Sequence, residues 1–214
     1  MIGPFTVKVC GITRAADAAV CLALGADWLG VNVWSGSPRC VPPDRRAALL
    51  REIPQGKRVA VTVRPGADDV LGLLAEGFDA VQVHLDPAEG DEPSALAKAA
   101  GARLWLAPRL AQGASFPEAW LPLASTWVVD THQAGSFGGT GKTGDWPRAA
   151  ELRARHPDKT WFLAGGLGPE TVGEAARAGF RHLDLNSRVE LAPGLKSAEK
   201  LHAAAEVLRK FAQS

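Results

Sequence analysis

Eight short apolar runs alternate with segments of helical pattern along this 214-residue chain, and this alternation constrains the fold more than any other feature. The runs are continuous rather than alternating in polarity, which is typical of strands in a parallel sheet covered on both faces. The predicted strands span residues 6–11, 28–33, 58–63, 80–84, 103–107, 127–130, 160–164 and 182–186. The predicted helices span residues 15–24, 43–52, 68–76, 94–100, 116–123, 146–156, 169–178 and 198–212.

Eight βα units in series predict an α/β fold, and we expect a single (β/α)8 TIM barrel. Hydrophobic residues make up 46% of the chain, which is enough for one sizeable core. Barrels of this kind routinely form a single domain at about this length, so we expect one domain over residues 1–214. A doubly wound open sheet is the alternative, because the pattern alone does not distinguish a closed sheet from an open one.

Composition and charge argue against several classes of function. The net charge of +1 gives no strong electrostatic footprint for nucleic acid or an anionic membrane. No apolar run reaches the roughly 18 residues of a membrane helix, and the first residues show no pattern of a secretory signal. The three cysteines have no paired spacing, which predicts reduced thiols and a cytoplasmic protein. No zinc-binding motif occurs, so we expect no metal and no cofactor.

The chemically distinctive residues fall just after predicted strands. In a barrel, the C-terminal ends of the strands share one face, and active sites lie on that face. The residues together offer a thiol, a carboxylate, a guanidinium and glycine-rich turns, which suit a pocket for an anionic substrate. They are Cys10 with Gly11, residues 37–39, His84, Asp130, Gly165 with Gly166, and Asn186 with Ser187.

Cys10 is the first candidate catalytic residue. Most free cysteines are simply small buried hydrophobic groups, but a thiol at a strand end before Gly11 is placed to meet a ligand. An unperturbed thiol has a pKa of about 8.5, so a base at neutral pH needs help from a nearby positive charge. Lys8 alternates to the same side of the strand and is a candidate for that charge.

Asp130 ends the sixth predicted strand, where it is either an active-site acid or the N-cap of the following turn. The glycine-rich segment 136–143 after it predicts a loop, and Asp145 suits the N-cap of the next helix. Residues 141–143 resemble the end of a P-loop, but Ser136 stands where that motif needs its first glycine. Nucleotide hydrolysis therefore has little support.

Two further positions suggest contacts to anions. Gly165 and Gly166 precede a predicted helix, whose N-terminus with exposed backbone N–H groups would bind an anion, although an ordinary tight turn is the alternative. Barrel enzymes often bind phosphate in the loops after strands seven and eight. The fork of Arg39 suits a carboxylate, unless Arg39 is a solvated surface residue. His84 is either a substrate contact or a satisfied strand-end histidine.

Three motifs resemble the phosphoribosylanthranilate isomerase family of tryptophan biosynthesis. They are Lys-Val-Cys-Gly-Ile-Thr at 8–13, Asp130 followed by Phe-Gly-Gly-Thr-Gly-Lys-Thr at 137–143, and Ala-Gly-Gly-Leu at 164–167. The resemblance spans residues 8–197 and implies a (β/α)8 barrel that carries out an Amadori rearrangement without metal or cofactor. It also implies that Asp130 is the general acid, that Cys10 is the general base, and that residues 137–143 form a lid.

The resemblance further implies a set of residues that bind the phosphorylated substrate. They are Arg39, His84, Gly139, Gly165, Gly166, Asp184, Asn186, Ser187 and Arg188. The chain departs from the family pattern at several of its motifs. Asn186 replaces a serine, and it still offers a donor. Arg188 replaces a glycine, where it would either add a phosphate contact or disturb the backbone. Cys40, Arg64 and Leu85 replace an aromatic residue, an asparagine and a glycine.

Two alternatives stay open from the sequence. One is another phosphate-binding barrel enzyme that acts on a sugar phosphate, such as an epimerase or a relative of indole-glycerol-phosphate synthase. The other is a repurposed paralogue without catalytic activity. In each case we expect a small phosphorylated molecule as the partner, with neither nucleic acid nor membrane, and a monomer or a homodimer.

Overall fold

Eight parallel strands close into a barrel in chain order in the computed structural model, which describes residues 1–111, 113–130 and 146–211. Each strand begins and ends within one residue of its prediction. The strands are β1 (Thr6–Cys10), β2 (Trp28–Asn32), β3 (Arg58–Val63), β4 (Ala80–Leu85), β5 (Leu104–Pro108), β6 (Thr126–Val129), β7 (Thr160–Leu163) and β8 (His182–Leu185). A two-stranded hairpin of β9 (Glu190–Ala192) and β10 (Leu195–Lys196) follows.

The pairing of β1 with β8 closes the barrel, so the expected (β/α)8 architecture is confirmed and the open-sheet alternative is wrong. The two strands run parallel, and Thr6 is in register with His182. Two residues further on, Lys8 is in register with Asp184. The seam therefore places side chains from opposite ends of the chain next to each other.

Helices cover the barrel on its outside. They are α1 (Ala15–Leu24), α2 (Pro43–Arg51), α3 (Ala67–Ala75), α4 (Ser94–Ala100), α5 (Trp146–Arg155), α6 (Val172–Arg177) and α7 (Ala198–Lys210). No helix within the described ranges combines the length and the apolar character that a bilayer crossing requires.

Two of the predicted helices differ from the structure. The segment predicted as a helix over residues 116–123 is a short 3-10 helix, Glu118–Leu123, which contains Pro122. Proline lacks the N–H that an α-helix interior needs, so the α-helical prediction was wrong there. The helix predicted from residue 169 begins only at Val172, because the Thr171 hydroxyl accepts from the N–H of Gly168 and donates to the carbonyl of Gly166.

The hydrophobic core has two parts, one between the helices and the barrel and one inside the barrel. Inside the barrel, Trp105 stacks on Phe162 with ring centroids 5.0 Å apart and meets Trp28 edge-on, also at 5.0 Å. These rings fill the barrel interior below the C-terminal face, as expected for a packed barrel rather than a pore. The cleft of the barrel therefore lies above these rings, at the C-terminal ends of the strands.

Candidate active site

A cleft of about 830 Å³, including solvent at its mouth, opens at the C-terminal face of the barrel. Most of the predicted site residues line it: Cys10, Arg39, His84, Asp130, Gly165, Gly166, Asp184, Asn186 and Ser187. Gly139, the segment 136–143 and Asp145 lie outside the described residues. The prediction that these side chains share one face of the barrel is confirmed for the residues that line the cleft.

Cys10 ends β1 at the floor of the cleft and is 7% exposed. Lys8 lies on the same side of the strand, as predicted, and is fully buried. Its Nζ donates to Oδ2 of Asp184 at 2.7 Å, and its positive charge acts on the Cys10 thiol. Burial raises the pKa of Cys10 above its ordinary value, while the charges of Lys8 and Lys196 act in the opposite direction.

Asp184 carries the second carboxyl group of the cleft. Its Oδ1 is buried and has no hydrogen-bond partner among the residues that the structure describes. Burial raises the pKa of Asp184, the Lys8 ammonium opposes this shift, and the charge of Asp130 adds to it. The two carboxyl groups therefore lie close enough to influence each other, and Oδ1 of Asp184 is available to accept a hydrogen bond from a ligand hydroxyl.

Arg39 is not a solvated surface residue, so that alternative is wrong. Its side chain is 9% exposed, and it forms a bidentate pair with Glu190. Nε lies 3.0 and 3.1 Å from the two carboxylate oxygens, and Nη2 lies 2.7 Å from Oε2. Lys196 Nζ donates to Oε1 of Glu190 at 2.8 Å and to Oδ1 of Asn186 at 3.0 Å. This buried network fixes the side of Arg39 that faces away from the cleft.

The glycine-rich turn after β7 has an unusual backbone. Gly165 and Gly166 both have positive φ, at +84° and +69°, which side chains rarely adopt. Because α6 begins only at Val172, the expectation that a helix start directly follows these glycines is wrong. The loop itself, rather than a helix N-terminus, faces the cleft beside Ser187.

Arg188 is the one described site residue that does not line the cleft. It is half-buried in the short 3-10 helix Ser187–Val189 and packs over Gly168. A Cβ added to Gly168 would lie 2.6 Å from the Cβ of Arg188. Arg188 stands where the family pattern has glycine, and the absence of a side chain at Gly168 gives its larger side chain room.

His84 contacts Gln82 on its own strand, with their Nε2 atoms 3.0 Å apart. Gln82 is 2% exposed, and its Oε1 has no hydrogen-bond partner within the described part of the chain. His84 therefore has a partner, as the satisfied-histidine interpretation expected, and it also lines the cleft.

Besides Gln82 in the middle of β4, three polar or aromatic residues that line the cleft were not predicted from the sequence. Asn32 ends β2, Trp34 follows it, and Arg109 directly follows β5. A position at a strand end was the signal that could have identified them. Among the described residues, no group of three or more His, Cys, Asp or Glu side chains is arranged to hold a metal ion.

The structure is thus a closed (β/α)8 barrel whose cleft holds a thiol, two carboxyl groups and a glycine-rich loop. Comparison with known proteins specifies the family. The sequence model described as N-(5'phosphoribosyl)anthranilate (PRA) isomerase matches residues 7–207. The chain belongs to this family.

Individual relatives agree with the family match. An N-(5'-phosphoribosyl)anthranilate isomerase from Syntrophus aciditrophicus is 34% identical over 96% of this chain and 87% of that protein. The crystal structure of the isomerase from Thermus thermophilus is 33% identical, with a TM-score of 0.81 over 96% of this chain and 99% of that one. A structure of monomeric variants of the dimeric isomerase from Thermotoga maritima is 26% identical, with a TM-score of 0.73 over 96% and 98% of the two chains.

Proposed function

We propose that this chain isomerises N-(5'-phosphoribosyl)anthranilate in tryptophan biosynthesis, with Asp130 as the general acid and Cys10 as the general base. Family membership supports the reaction. The observation that carries the residue assignment is that Cys10 of β1 and Asp130, directly after β6, line one cleft together with the Gly165–Gly166 turn.

The reaction needs one acid and one base on the same sugar. Asp130 donates its proton to the ring oxygen of the ribose, and the ring opens to a Schiff base. Cys10 then removes the proton from C2′, which gives an enolamine. The enolamine takes up a proton at C1′ and loses the proton of its 2′-hydroxyl, which gives the 1-(2-carboxyphenylamino)-1-deoxyribulose 5-phosphate. The overall change is an aldose–ketose isomerisation in which the sugar supplies both the oxidised and the reduced carbon. General acid–base catalysis of this kind contributes roughly 10²- to 10⁴-fold per group.

The substrate carries an anionic group at each end, and the cleft offers a contact for each. We place the phosphate against the turn of Gly165 and Gly166 and the loop of Asn186 and Ser187, with Arg188 adding charge from behind that loop. We place the anthranilate carboxylate toward Arg39, whose planar fork suits a carboxylate. Glu190 binds Nε and Nη2 of this guanidinium, and Lys196 binds Glu190 in turn, so the guanidinium is oriented before the substrate arrives.

His84 and the unpartnered Oδ1 of Asp184 complete the proposed contacts. A buried carboxylate oxygen without a donor is costly unless a ligand supplies one, and the hydroxyl groups of the ribose are such donors. The segment that includes Gly139 would act as a lid, which excludes water from the reactive Schiff base.

An assay of the purified protein on N-(5'-phosphoribosyl)anthranilate tests the proposal. We expect turnover by the native chain and a fall of kcat by at least about 100-fold in Cys10→Ala and in Asp130→Ala. Cys21→Ala and Asp158→Ala are the matched controls, because Cys21 is buried in α1 away from the cleft and the Asp158 side chain is 68% exposed. We expect both controls to keep native kcat.

A tryptophan auxotroph gives the same test in cells. The native gene should restore growth, and the genes for Cys10→Ala and Asp130→Ala should not. A native chain that folds but shows no turnover would instead support the non-catalytic paralogue. Unimpaired growth with either variant would remove that residue from the mechanism.

A cytosolic location is part of the proposal, since all three cysteines are free thiols, which suits a reducing compartment. Either a monomer or a homodimer is compatible with the proposed site, because the described cleft residues all belong to one chain.

A further inference from the structure

The thiol of Cys10 lies in surroundings that oppose its use as a base. It is 7% exposed at the floor of the cleft, and burial disfavours the thiolate. The charged groups that act on it come from three strands: Lys8 from β1, Asp184 from β8 and Lys196 from β10. Among these three charges, that of Lys8 acts most strongly on the thiol.

The missing side chain of Gly30 leaves open a space that both Lys8 and Cys10 border. It lies in β2, in register with Cys10 across the β1–β2 pair. A Cβ added to Gly30 would lie 3.0 Å from Sγ of Cys10, 3.1 Å from its Cα and 3.2 Å from Cε of Lys8. Because one of these contacts is to backbone, a side chain at Gly30 would have to push the two strands apart or displace both side chains.

Asp184 holds Lys8 from the other side. It is 6% exposed, and its Oδ2 accepts from Lys8 Nζ at 2.7 Å across the β1–β8 seam. Lys8 is therefore held by a carboxylate, without exposure to solvent, on the side of β1 that also carries the Cys10 thiol. Burying a charge is costly unless the charge is paired, and the pair with Asp184 meets this requirement for the ammonium of Lys8.

We infer that Lys8 is a positioning residue for the reaction: held by Asp184 in the slot left open by Gly30, its ammonium stabilises the thiolate of Cys10 during proton abstraction. The inference rests on the proposed role of Cys10 as the base. The thiolate accepts the C2′ proton and becomes a thiol, and Lys8 keeps its own proton throughout. Asp184 limits the stabilisation of the thiolate, because its own negative charge also pairs with the ammonium and repels the thiolate.

The test is the pH dependence of alkylation of Cys10 by iodoacetamide in the substrate-free protein, followed by mass spectrometry of the Cys10 peptide. Asp184→Asn is the first variant, since it keeps the shape of the side chain and an oxygen that accepts from Lys8. We expect its alkylation midpoint to fall by about 1 pH unit, which makes the reaction several-fold faster below the midpoint. Lys8→Met should move the midpoint upward by about 1 to 3 units, so alkylation slows at least about tenfold.

Gly30→Ala should change the midpoint in the same direction as Lys8→Met, because it separates the ammonium from the thiol. Gly72→Ala is the matched control: Gly72 is exposed in α3, and an added Cβ meets nothing within 4 Å. We expect the control to keep the native midpoint and native kcat. In turnover, Lys8→Met should lower kcat with KM little changed, because Lys8 acts through the base rather than on the substrate.

The decisive result is that the alkylation midpoint falls in Asp184→Asn and rises in Lys8→Met. General damage to the fold would shift the two midpoints in the same direction. A native or raised midpoint in Asp184→Asn overturns the inference, and this variant decides alone if Lys8→Met does not fold. Alkylation needs no substrate, so a native chain without isomerase activity would contradict the proposed function and leave these shifts measurable.

Discussion

Glu190→Gln tests the buried network behind the cleft. The carboxylate of Glu190 accepts from Arg39 Nε and Nη2 at 2.7–3.1 Å, from Lys196 Nζ at 2.8 Å and from the N–H of Gly194 at 3.1 Å. The substitution keeps the size of the side chain and removes its charge. Two buried cations then face a neutral amide without compensation.

The expected cost follows from the burial of all three partners. The side chains of Arg39, Glu190 and Lys196 are 9%, 3% and 1% exposed. Removing one member of a buried ion pair typically costs about 3–5 kcal/mol, because an uncompensated charge stays behind. We therefore expect the free energy of unfolding to fall by about 3 kcal/mol or more, with a melting temperature lower by roughly 6–12 °C for a chain of this size.

Urea-induced unfolding at pH 7 and at pH 3 measures both the loss and its origin. Burial by itself would raise the pKa of Glu190, but the hydrogen bond from Arg39 and the charge of Lys196 lower it below the ordinary value of 4.5. A carboxyl group with a depressed folded-state pKa contributes stability above its unfolded pKa, and that stability is lost as the pH falls through the folded pKa. The difference between native and variant chains should therefore shrink at pH 3.

Glu76→Gln is the matched control, since Glu76 pairs with Arg46 at 3.2 Å and its side chain is 40% exposed. Exposed pairs are worth at most about 1 kcal/mol. The reasoning is refuted if Glu190→Gln costs no more than this control at pH 7, or if its cost is the same at both pH values.

Two further predictions concern stability. Burial lowers the pKa of His182 below 6.5, although Asp27 opposes this, so the folded chain holds a neutral ring where the unfolded chain takes up a proton. The free energy of unfolding should fall as the pH drops below about 6.5, by up to about 1.4 kcal/mol per pH unit. In urea titrations at pH 5, 6 and 7, His182→Gln should show a smaller dependence of the unfolding free energy on pH. A pH dependence equal to that of the native chain would contradict this prediction. Leu208 is fully buried in α7, so Leu208→Ala should cost about 2–5 kcal/mol by the same method, and a loss below 1 kcal/mol would show that α7 repacks around the gap.

The strands were predictable because each is a continuous apolar run that the barrel buries on both faces. The helix prediction failed where local chemistry overrides periodicity. Pro122 limits one segment to a 3-10 helix, and the Thr171 hydroxyl bonds delay the start of α6. Both residues were visible in the sequence, but their effect depends on which backbone groups lie within reach.

The residues of the cleft were predictable where they lie at strand ends, as Cys10 and Asp130 do. Their partners were not. Arg39 and Glu190 are 151 positions apart, and no local pattern links them. The role of Gly30 was not predictable either, because the sequence does not show which side chains lie next to a glycine in a buried strand.

The seam between β1 and β8 also ties catalysis to the order of folding. Lys8 and Asp184 are 176 positions apart and become neighbours only when the last strand of the barrel docks on the first. Such long-range pairing is slow compared with local helix formation. In a refolding experiment, helical signal should return before enzymatic activity, and the interval between them measures the time that the chain spends as an unclosed sheet.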